Sequence, residues 1–309
     1  MSLASPFRRH PMNPIITAEA VPGASLIMNS AVVKFKGAYA GVFRVDTEEM
    51  VMELHAGSSR DGLHWDIDPK PLPLTGLVPK GVPAGRGYDP RITRIGDTYY
   101  ITWCYYPCGQ GPAIGLARTK DFRKFHQMAA VLLPYNRNAV LFPRKIGGKY
   151  AVLHRPSDNG HTPFGDVYYA TSPDLLHWGD HRFVFGRTDG WQGTKVGAGP
   201  TPIETRDGWV ILYHGVITTC NGFVYSMGGA ILDRDEPWKV KCRTKRYLMT
   251  PSENYERVGF VPNVVFPTAA ILDGKTGKLD VYYGAADTYV ALASADFGEV
   301  VRFIKKNSY

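Results

Sequence analysis

The chain has 309 residues, of which 44% are hydrophobic and 21% are charged. This composition supplies enough apolar side chains for a core and excludes a disordered chain. The formal net charge of +8 is compatible with nucleic acid, a membrane surface or a small anionic substrate as a partner. No apolar stretch reaches the length of a membrane span, and no apolar segment follows the basic N-terminus as a signal peptide requires. We therefore expect a cytoplasmic protein without a membrane partner.

The cysteines and the basic residues near the C-terminus indicate the redox compartment and the kinds of partner that the protein can have. Four cysteines are too few and too irregularly spaced for a disulfide framework or a zinc site, which favours a reducing compartment: Cys104, Cys108, Cys220 and Cys242. No carboxylate or histidine cluster has metal-ligand spacing, so no metal is expected. The basic residues have no stacking motif beside them, so a solvated face or subunit contact is favoured over nucleic acid. They are Lys239, Lys241, Arg243, Lys245, Arg246, Arg302, Lys305 and Lys306.

In chain order, one pattern recurs five times, here named the hairpin cassette. Each copy has a small polar or proline start, a β-rich strand, a glycine or aspartate turn and a second, aromatic-rich strand. The copies are residues 29–45, 89–104, 141–155, 200–215 and 267–284. Their turns contain glycine or aspartate, as hairpins that need a positive φ prefer. Copies at intervals of about 50 to 70 residues predict five sheets.

A second pattern, the outer-turn cassette, places an aspartate four residues before a large aromatic residue. It occurs at Asp61 to Trp65, Asp121 to Phe125 and Asp174 to Trp178, each time after a serine or threonine. We interpret it as the closure of an outer turn of a sheet, with the ring packed on that sheet. The histidines within it, His64 and His177, then have structural roles as well.

The patterns together predict an all-β fold. No segment maintains a 3.6-residue apolar period over three turns, so long helices are not expected. Repeated antiparallel sheets in one chain of this length favour radial packing, because a propeller leaves only short, protected edges. We expect a single five-bladed β-propeller over residues 1–309, with a β-sandwich as the alternative. In a propeller the starts of the innermost strands converge on a central pocket.

Polar residues concentrate at the cassette starts, where that pocket would form. Arg137, Arg155 and Lys195, brought together with His214, would form a cationic cluster that requires an anion. Arginine forks match phosphate oxygens, and lysine adds a compact charge. Asp89 would then be a proton donor beside a bound oxyanion. One acid and one bound oxyanion nucleophile are the requirements of phosphorolysis.

Several segments resemble a known family, glycoside hydrolase family 130, whose members are β-mannoside phosphorylases and some β-mannosidases on a five-bladed propeller. The similar segments are FRV (43–45), Tyr88-Asp89-Pro90-Arg91, NRNAVLFP (136–143), RPSDNGH (155–161), TKVGAGP (194–200) and YYGAADT (282–288). The resemblance extends from about residue 13 to the C-terminus. A finer similarity, in segments 159–166 and 220–226, is to phosphorylases that act on β-1,4-mannosyl-N-acetylglucosamine, the unit at the core of N-glycans.

The resemblance implies a role for each matching residue. Asp89 is expected to be the general acid, and Arg137, Arg155, Lys195 and His214 are expected to bind phosphate. The residues expected to bind the sugar are Asn29, Ser30, Arg44, Tyr88, Asp158, His161, Tyr225, Asn263 and Asp287. Phosphate is a co-substrate and no cofactor is implied. Relatives form oligomers, so a homo-oligomer is expected.

The implied reaction is attack of phosphate on the anomeric carbon with inversion, which yields α-mannose 1-phosphate. In the family the proton is thought to pass through a hydroxyl of the mannosyl ring. Arg91, two residues after the acid, would favour the ionised carboxylate if it lay beside it, so we expect it to pair elsewhere.

The sequence leaves more than one candidate for the leaving sugar and for the reaction class. Segment 105–111 differs from the shorter, asparagine-bearing loop of the N-acetylglucosamine-releasing phosphorylases, so mannose and β-1,4- or β-1,2-linked mannooligosaccharides remain candidate leaving sugars. A β-mannosidase is a further candidate, and a non-catalytic glycan-binding propeller is the least favoured function. A hydrolase would be expected to replace the three cations and supply a base, whereas this sequence retains all three.

Overall fold

The computed structural model describes residues 4–77, 85–106, 111–128, 132–157 and 165–309. Their strands form five sheets of four or five strands, arranged as the blades of a propeller. The predicted five-bladed β-propeller is therefore confirmed, and the sandwich alternative is excluded.

The blades follow one another along the chain. The first strand, β1 (Arg8–Arg9), belongs to the last blade. Blade one contains β2 (Ala24–Phe35), β3 (Ala38–Thr47), β4 (Met52–Ser59) and β5 (Asp66–Pro71). Blade two contains β6 (Leu74–Gly76), β7 (Tyr88–Ile95), β8 (Thr98–Tyr105), β9 (Ala113–Thr119) and β10 (Phe125–Gln127). Blade three contains β11 (Asn136–Leu141), β12 (Tyr150–Pro156), β13 (Val167–Ser172) and β14 (Gly179–Phe185).

The last two blades complete the ring. Blade four contains β15 (Lys195–Ala198), β16 (Ile203–Thr205), β17 (Gly208–Thr219), β18 (Gly222–Leu232) and β19 (Val240–Arg243). Blade five contains β20 (Val265–Leu272), β21 (Lys278–Ala285), β22 (Tyr289–Asp296) and, at its outer edge, β1. The N-terminal strand pairs antiparallel with β22, with Arg9 opposite Ala293. The chain thus closes the ring by returning its first strand to its last blade.

An ion pair fixes this closure. The Arg9 guanidinium donates to both carboxylate oxygens of Glu256, at 2.7 and 2.9 Å. The Glu256 side chain is fully buried and also accepts a 2.8 Å hydrogen bond from the Tyr283 hydroxyl. A buried carboxylate with several donors is satisfied, so it can link the N-terminal strand to the segment after blade four.

Each hairpin cassette forms the two inner strands of a blade, and each predicted turn lies between them. The turn glycines have positive φ, for example +83° at Gly37 and +64° at Gly96. The outer-turn cassettes connect β4 to β5, β9 to β10 and β13 to β14, in the outer parts of blades one, two and three. In blade one the Asp61 carboxylate accepts from the backbone of Leu63 and His64, while the Trp65 ring packs 4.9 Å from that of Phe43. The structural interpretation of this cassette is confirmed.

In three of the blades, the innermost strand carries a β-bulge that contains a residue of positive φ. The register shifts between Met28 and Ala31 in β2, and similarly in β7 and β11. One residue within each bulge has a positive φ: +47° at Asn29, +52° at Asp89 and +53° at Asn138. Asparagine and aspartate tolerate this left-handed region better than other residues with a side chain. Because a bulge re-aims side chains, it turns these polar groups toward the propeller axis.

Helices are short in the part of the chain that the structure describes. The α-helices are α1 (Asn254–Arg257) and α2 (Phe297–Lys306), and Ala18–Ala20 forms one turn of 3-10 helix. The Asp296 carboxylate caps α2 by accepting from the Glu299 amide at 2.8 Å, and the helix buries Val300, Phe303 and Ile304. Within the described residues, no helix has the length and apolarity needed to span a membrane.

The basic residues near the C-terminus have different environments. Lys241 forms an exposed ion pair with Asp233 at 3.0 Å, as a solvated face implies. Arg243, in contrast, is buried, and the prediction that it belongs to a solvated face is wrong. Its guanidinium donates to the Gln192 side chain at 2.6 Å and lies 4.3 Å from the Phe185 ring centre.

Candidate active site

A cavity opens where the inner strands converge. All five blades contribute to its lining, which is made of Asn29, Arg44, Tyr88, Asp89, Arg137, Asn138, Arg155, Ser157, Lys195, His214, Tyr225, Phe266 and Asp287. Carboxylates, cations and aromatic rings therefore share one enclosed space.

One side of the cavity holds the carboxylate of Asp89. Its Oδ1 accepts from the Asn29 amide at 2.8 Å and from Arg44 Nη1 at 3.3 Å. Arg44 is fixed in turn by a bidentate pair with Asp46, at 2.8 and 2.7 Å. Burial alone would lower the pKa of Arg44, but the pairing with Asp46 and Asp89 outweighs burial and raises it. Both contacts to Asp89 fall on Oδ1, so Oδ2 is the oxygen that they leave available for a ligand.

Asp287 is the second carboxylate in the cavity lining. Burial raises its pKa to about 6, and the charges of Asp89 and Asp46 act in the same direction. The Arg44 guanidinium opposes this change without cancelling it. A carboxyl group whose pKa is raised by burial inside a polar cavity is typical of functional sites.

The cavity lining also holds three further cations, Arg137, Arg155 and Lys195. Arg137 is buried, and three hydroxyl groups contact its guanidinium: Ser157 at 2.7 Å, Tyr106 at 3.0 Å and Tyr88 at 3.3 Å. The Lys195 ammonium lies 4.4 Å from the centre of the Phe223 ring, a cation–π distance. These contacts hold the side chains while preserving their positive charge.

The third cation, Arg155, is held by a histidine. Its Nη1 donates to Nε2 of His214 at 3.1 Å. Burial of the imidazole, together with the charges of Arg155, Arg91 and Lys195, keeps the pKa of His214 well below its usual value. His214 is therefore neutral and accepts from Arg155, which orients the guanidinium rather than adding a further positive charge.

Arg91 is buried beside the acid but does not pair with its carboxylate. It donates to the backbone carbonyls of Gly199 at 2.8 Å and Pro90 at 2.9 Å, and its guanidinium lies 5.3 Å from the Phe266 ring. The expectation that Arg91 pairs elsewhere is confirmed. Its role is to link the bulge of β7 in blade two to blade four, through the carbonyl of Gly199.

The structure brings most of the predicted residues together. Those in the cavity lining are Asp89, Arg137, Arg155, Lys195, His214, Asn29, Arg44, Tyr88, Tyr225 and Asp287. Ser30 is not in the lining: it is fully buried, and its hydroxyl donates to the Met28 carbonyl at 3.4 Å. Asn263 lies outside the lining, where its carbonyl accepts from the Tyr225 amide. Asp158 and His161 are outside the described residues.

Three residues of the lining had no role assigned from the sequence: Asn138, Ser157 and Phe266. Asn138 and Ser157 lie in the polar runs that contain Arg137 and Arg155, so polar clustering places them near the pocket without giving either a role. Phe266 directly precedes the last hairpin cassette, and its apolar character gave no signal. Its ring lies 4.5 Å from the imidazole of His214 and forms part of the cavity wall.

A propeller whose central polar cavity holds two carboxylates, Asp89 and Asp287, together with the cations Arg137, Arg155 and Lys195 has the parts of an anion-dependent carbohydrate enzyme. A family model for glycoside hydrolase family 130, described as beta-1,4-mannooligosaccharide phosphorylase, matches residues 4–306. The chain belongs to this family.

Individual relatives give the same result. The chain is 50% identical over 306 residues to a beta-1,4-mannooligosaccharide phosphorylase of Ruminococcus albus, covering 97% of this chain and 91% of the relative. It is 28% identical to a 4-O-beta-D-mannosyl-D-glucose phosphorylase of Bacteroides fragilis, covering 91% and 75%. Among solved structures, a beta-1,2-mannobiose phosphorylase from Listeria innocua in complex with beta-1,2-mannobiose matches with a TM-score of 0.85 and 30% identity, covering 96% and 99%.

Proposed function

We propose that the protein is an inverting phosphorylase of β-1,4-linked mannosides, which converts the terminal mannosyl unit and inorganic phosphate into α-mannose 1-phosphate. The observation that carries this proposal is the placement of Asp89 in one cavity with Arg137, Arg155 and Lys195. Family membership and the names of the relatives support the substrate class.

In the proposed reaction, phosphate is bound by the three cations and attacks the anomeric carbon from the face opposite the leaving group. The bond from C1 to phosphate oxygen forms as the bond from C1 to the glycosidic oxygen breaks. Asp89 supplies the proton that the departing oxygen takes up, directly or through a mannosyl hydroxyl. Such general acid catalysis contributes about 10²- to 10⁴-fold to a rate.

The choice between phosphate and water depends on the second carboxylate. An inverting hydrolase uses one carboxylic acid and one carboxylate base, with the base activating a water molecule. Asp287 is the other acid in the described lining, so a β-mannosidase is the alternative. Asp287 lies near enough to Arg44 and Asp89 for their charges to affect its pKa, which favours a role in binding the mannosyl ring beside the acid. Phosphate is itself anionic, so a phosphorylase requires no base.

The leaving sugar has two candidates. The names of the family model and of the Ruminococcus relative favour mannose or a mannooligosaccharide. The similarity of segment 220–226, which contains Tyr225, favours N-acetylglucosamine, the sugar found at the core of N-glycans. We propose mannooligosaccharides as the main substrates, with mannosyl-N-acetylglucosamine as the second candidate.

Reverse synthesis tests both points. The purified enzyme is incubated with α-mannose 1-phosphate and either mannose, N-acetylglucosamine or glucose, and the release of inorganic phosphate is measured. We expect release to require an acceptor and to be fastest with mannose. Fastest release with N-acetylglucosamine would select the second candidate, and no release with any acceptor would contradict a phosphorylase.

A further inference from the structure

Tyr106 follows β8 directly and contacts the guanidinium that we expect to bind phosphate. Its hydroxyl accepts a hydrogen bond from Arg137 Nη2 at 3.0 Å. The hydroxyl groups of Ser157 and Tyr88 accept from Nη1 and Nε of the same side chain. Three neutral oxygens therefore contact three different nitrogens of the guanidinium.

The ring of Tyr106 is also fixed. It stacks on Tyr88, with ring centres 5.6 Å apart and an angle of 20° between the planes. The Arg44 guanidinium lies 5.5 Å from the Tyr88 ring centre. Tyr88 is buried, whereas Tyr106 is 41% exposed. Tyr106 is thus the outer member of a row that leads from the arginine beside the acid to the surface.

The chemistry of the hydroxyl suits a positioning role. An arginine side chain loses conformational entropy when rotation about its several single bonds is restricted. An anion binds more tightly if the guanidinium is already held in place before binding, because binding then carries less of this entropy cost. A carboxylate at the position of the Tyr106 hydroxyl would also fix Arg137, but its charge would compete with phosphate. A phenol holds the guanidinium and leaves its charge available.

We propose that Tyr106 is a positioning residue that preorganises Arg137 for the phosphate co-substrate. The proposal rests on the proposed function, since it assigns the anion at Arg137 as phosphate. Tyr106 does not touch the reacting atoms and acts through Arg137. Tyr106 is partly exposed and lies outside the residues to which the family resemblance assigned a role.

The test compares Tyr106→Phe, which removes only the hydroxyl, with the wild type. We expect the KM for phosphate to rise about 5- to 10-fold, because a hydrogen bond to a charged group is lost and water replaces part of it. The kcat and the KM for β-1,4-mannobiose should stay within about twofold of the wild type, since the ring and its stacking on Tyr88 remain. Tyr247→Phe is the matched control, because Tyr247 is equally exposed at 41% and packs against Trp191 in blade four.

Phosphate binding without turnover separates this proposal from the proposed function. Isothermal titration with inorganic phosphate should show a similar weakening for Tyr106→Phe and none for Tyr247→Phe. If wild-type turnover is independent of phosphate, the proposed function is wrong. The titration with phosphate then still decides whether Tyr106 contributes to phosphate binding at Arg137.

Two results would overturn the positioning role. One is an unchanged KM and unchanged binding of phosphate in Tyr106→Phe. The other is a raised KM for the mannoside with an unchanged KM for phosphate, which would make Tyr106 a sugar contact instead. Ser157→Ala provides a second variant of the same guanidinium, and it should weaken phosphate in the same selective way.

Discussion

Asp287 has a predicted cost to stability that can be measured. Its pKa of about 6, against an ordinary value of 3.8, means that folding disfavours the ionised carboxylate. A carboxyl group whose folded-state pKa is raised destabilises the fold progressively as pH rises from 3.8 to about 6, and fully above that. At about 1.36 kcal/mol per pKa unit, the penalty is about 3 kcal/mol at pH 8 and about 1 kcal/mol at pH 4.5.

Asp287→Asn removes the ionisable group with little change in shape. We expect the free energy of unfolding of the variant to exceed that of the wild type by up to about 3 kcal/mol at pH 8, with a gap about 2 kcal/mol smaller at pH 4.5. The contacts of the new amide are the same at both pH values, so the change in the gap reports the carboxylate alone. We also expect turnover to fall, because the carboxylate is predicted to bind mannosyl hydroxyls.

Urea unfolding at the two pH values, followed by the fluorescence of the six tryptophans, provides the measurement. Asp189→Asn is the control, since Asp189 is exposed and a surface substitution should change stability by less than about 0.5 kcal/mol. A gap between Asp287→Asn and the wild type that is equal at both pH values would refute the reasoning.

Three further variants test other parts of the structure. Asp89→Asn should lower kcat by about 10²- to 10⁴-fold with a native circular dichroism spectrum, and near-normal turnover would exclude it as the acid. His214→Phe removes the acceptor for Arg155 and should raise the KM for phosphate about tenfold at both pH 6.5 and pH 8, because the histidine is neutral; an effect at only one pH would argue for a charged imidazole. Glu256→Gln should lower the free energy of unfolding by about 3 kcal/mol in urea, since Arg9 loses its partner, while kcat at 25 °C is retained; a loss below about 1 kcal/mol would mean that the closure does not depend on this pair.

Much of the fold could be predicted because its signals are local. A turn such as Gly96-Asp97 between two β-rich runs specifies a hairpin without reference to the rest of the chain. Five such hairpins then imply a propeller. The return of Arg8 and Arg9 to blade five was not predictable in this way, because a two-residue strand has no periodicity and its pairing with β22 is between distant parts of the chain.

The sequence predicted which polar clusters form the cavity. The bulges explain why it did not predict which side chain of each cluster faces the propeller axis. Successive side chains on a regular strand point to opposite faces, so Asn29 and Ser30 cannot both face the axis. The sequence does not reveal which one does. The positive φ at Asn29 turns its side chain toward Asp89, and Ser30 is left in the interior. Asn138 had no role assigned for the same reason, since its orientation depends on the bulge in β11.

The contrast between Arg91 and Arg137 follows from burial and partners. Both are arginines close to the acid in sequence or in space, and both are buried. Backbone carbonyls hold Arg91 inside the wall, whereas hydroxyl groups hold Arg137 at the cavity surface. The sequence near each arginine cannot distinguish these two environments, because each includes contacts to another blade.

The measurement that tests the central claim most directly is the forward reaction, followed by phosphorus and proton NMR. The enzyme is incubated with β-1,4-mannobiose in the presence and in the absence of inorganic phosphate. We predict that α-mannose 1-phosphate and mannose accumulate in equal amounts, and that no cleavage occurs without phosphate. Equal rates of cleavage in both samples, with free mannose as the only product, would contradict the account and identify a mannosidase instead.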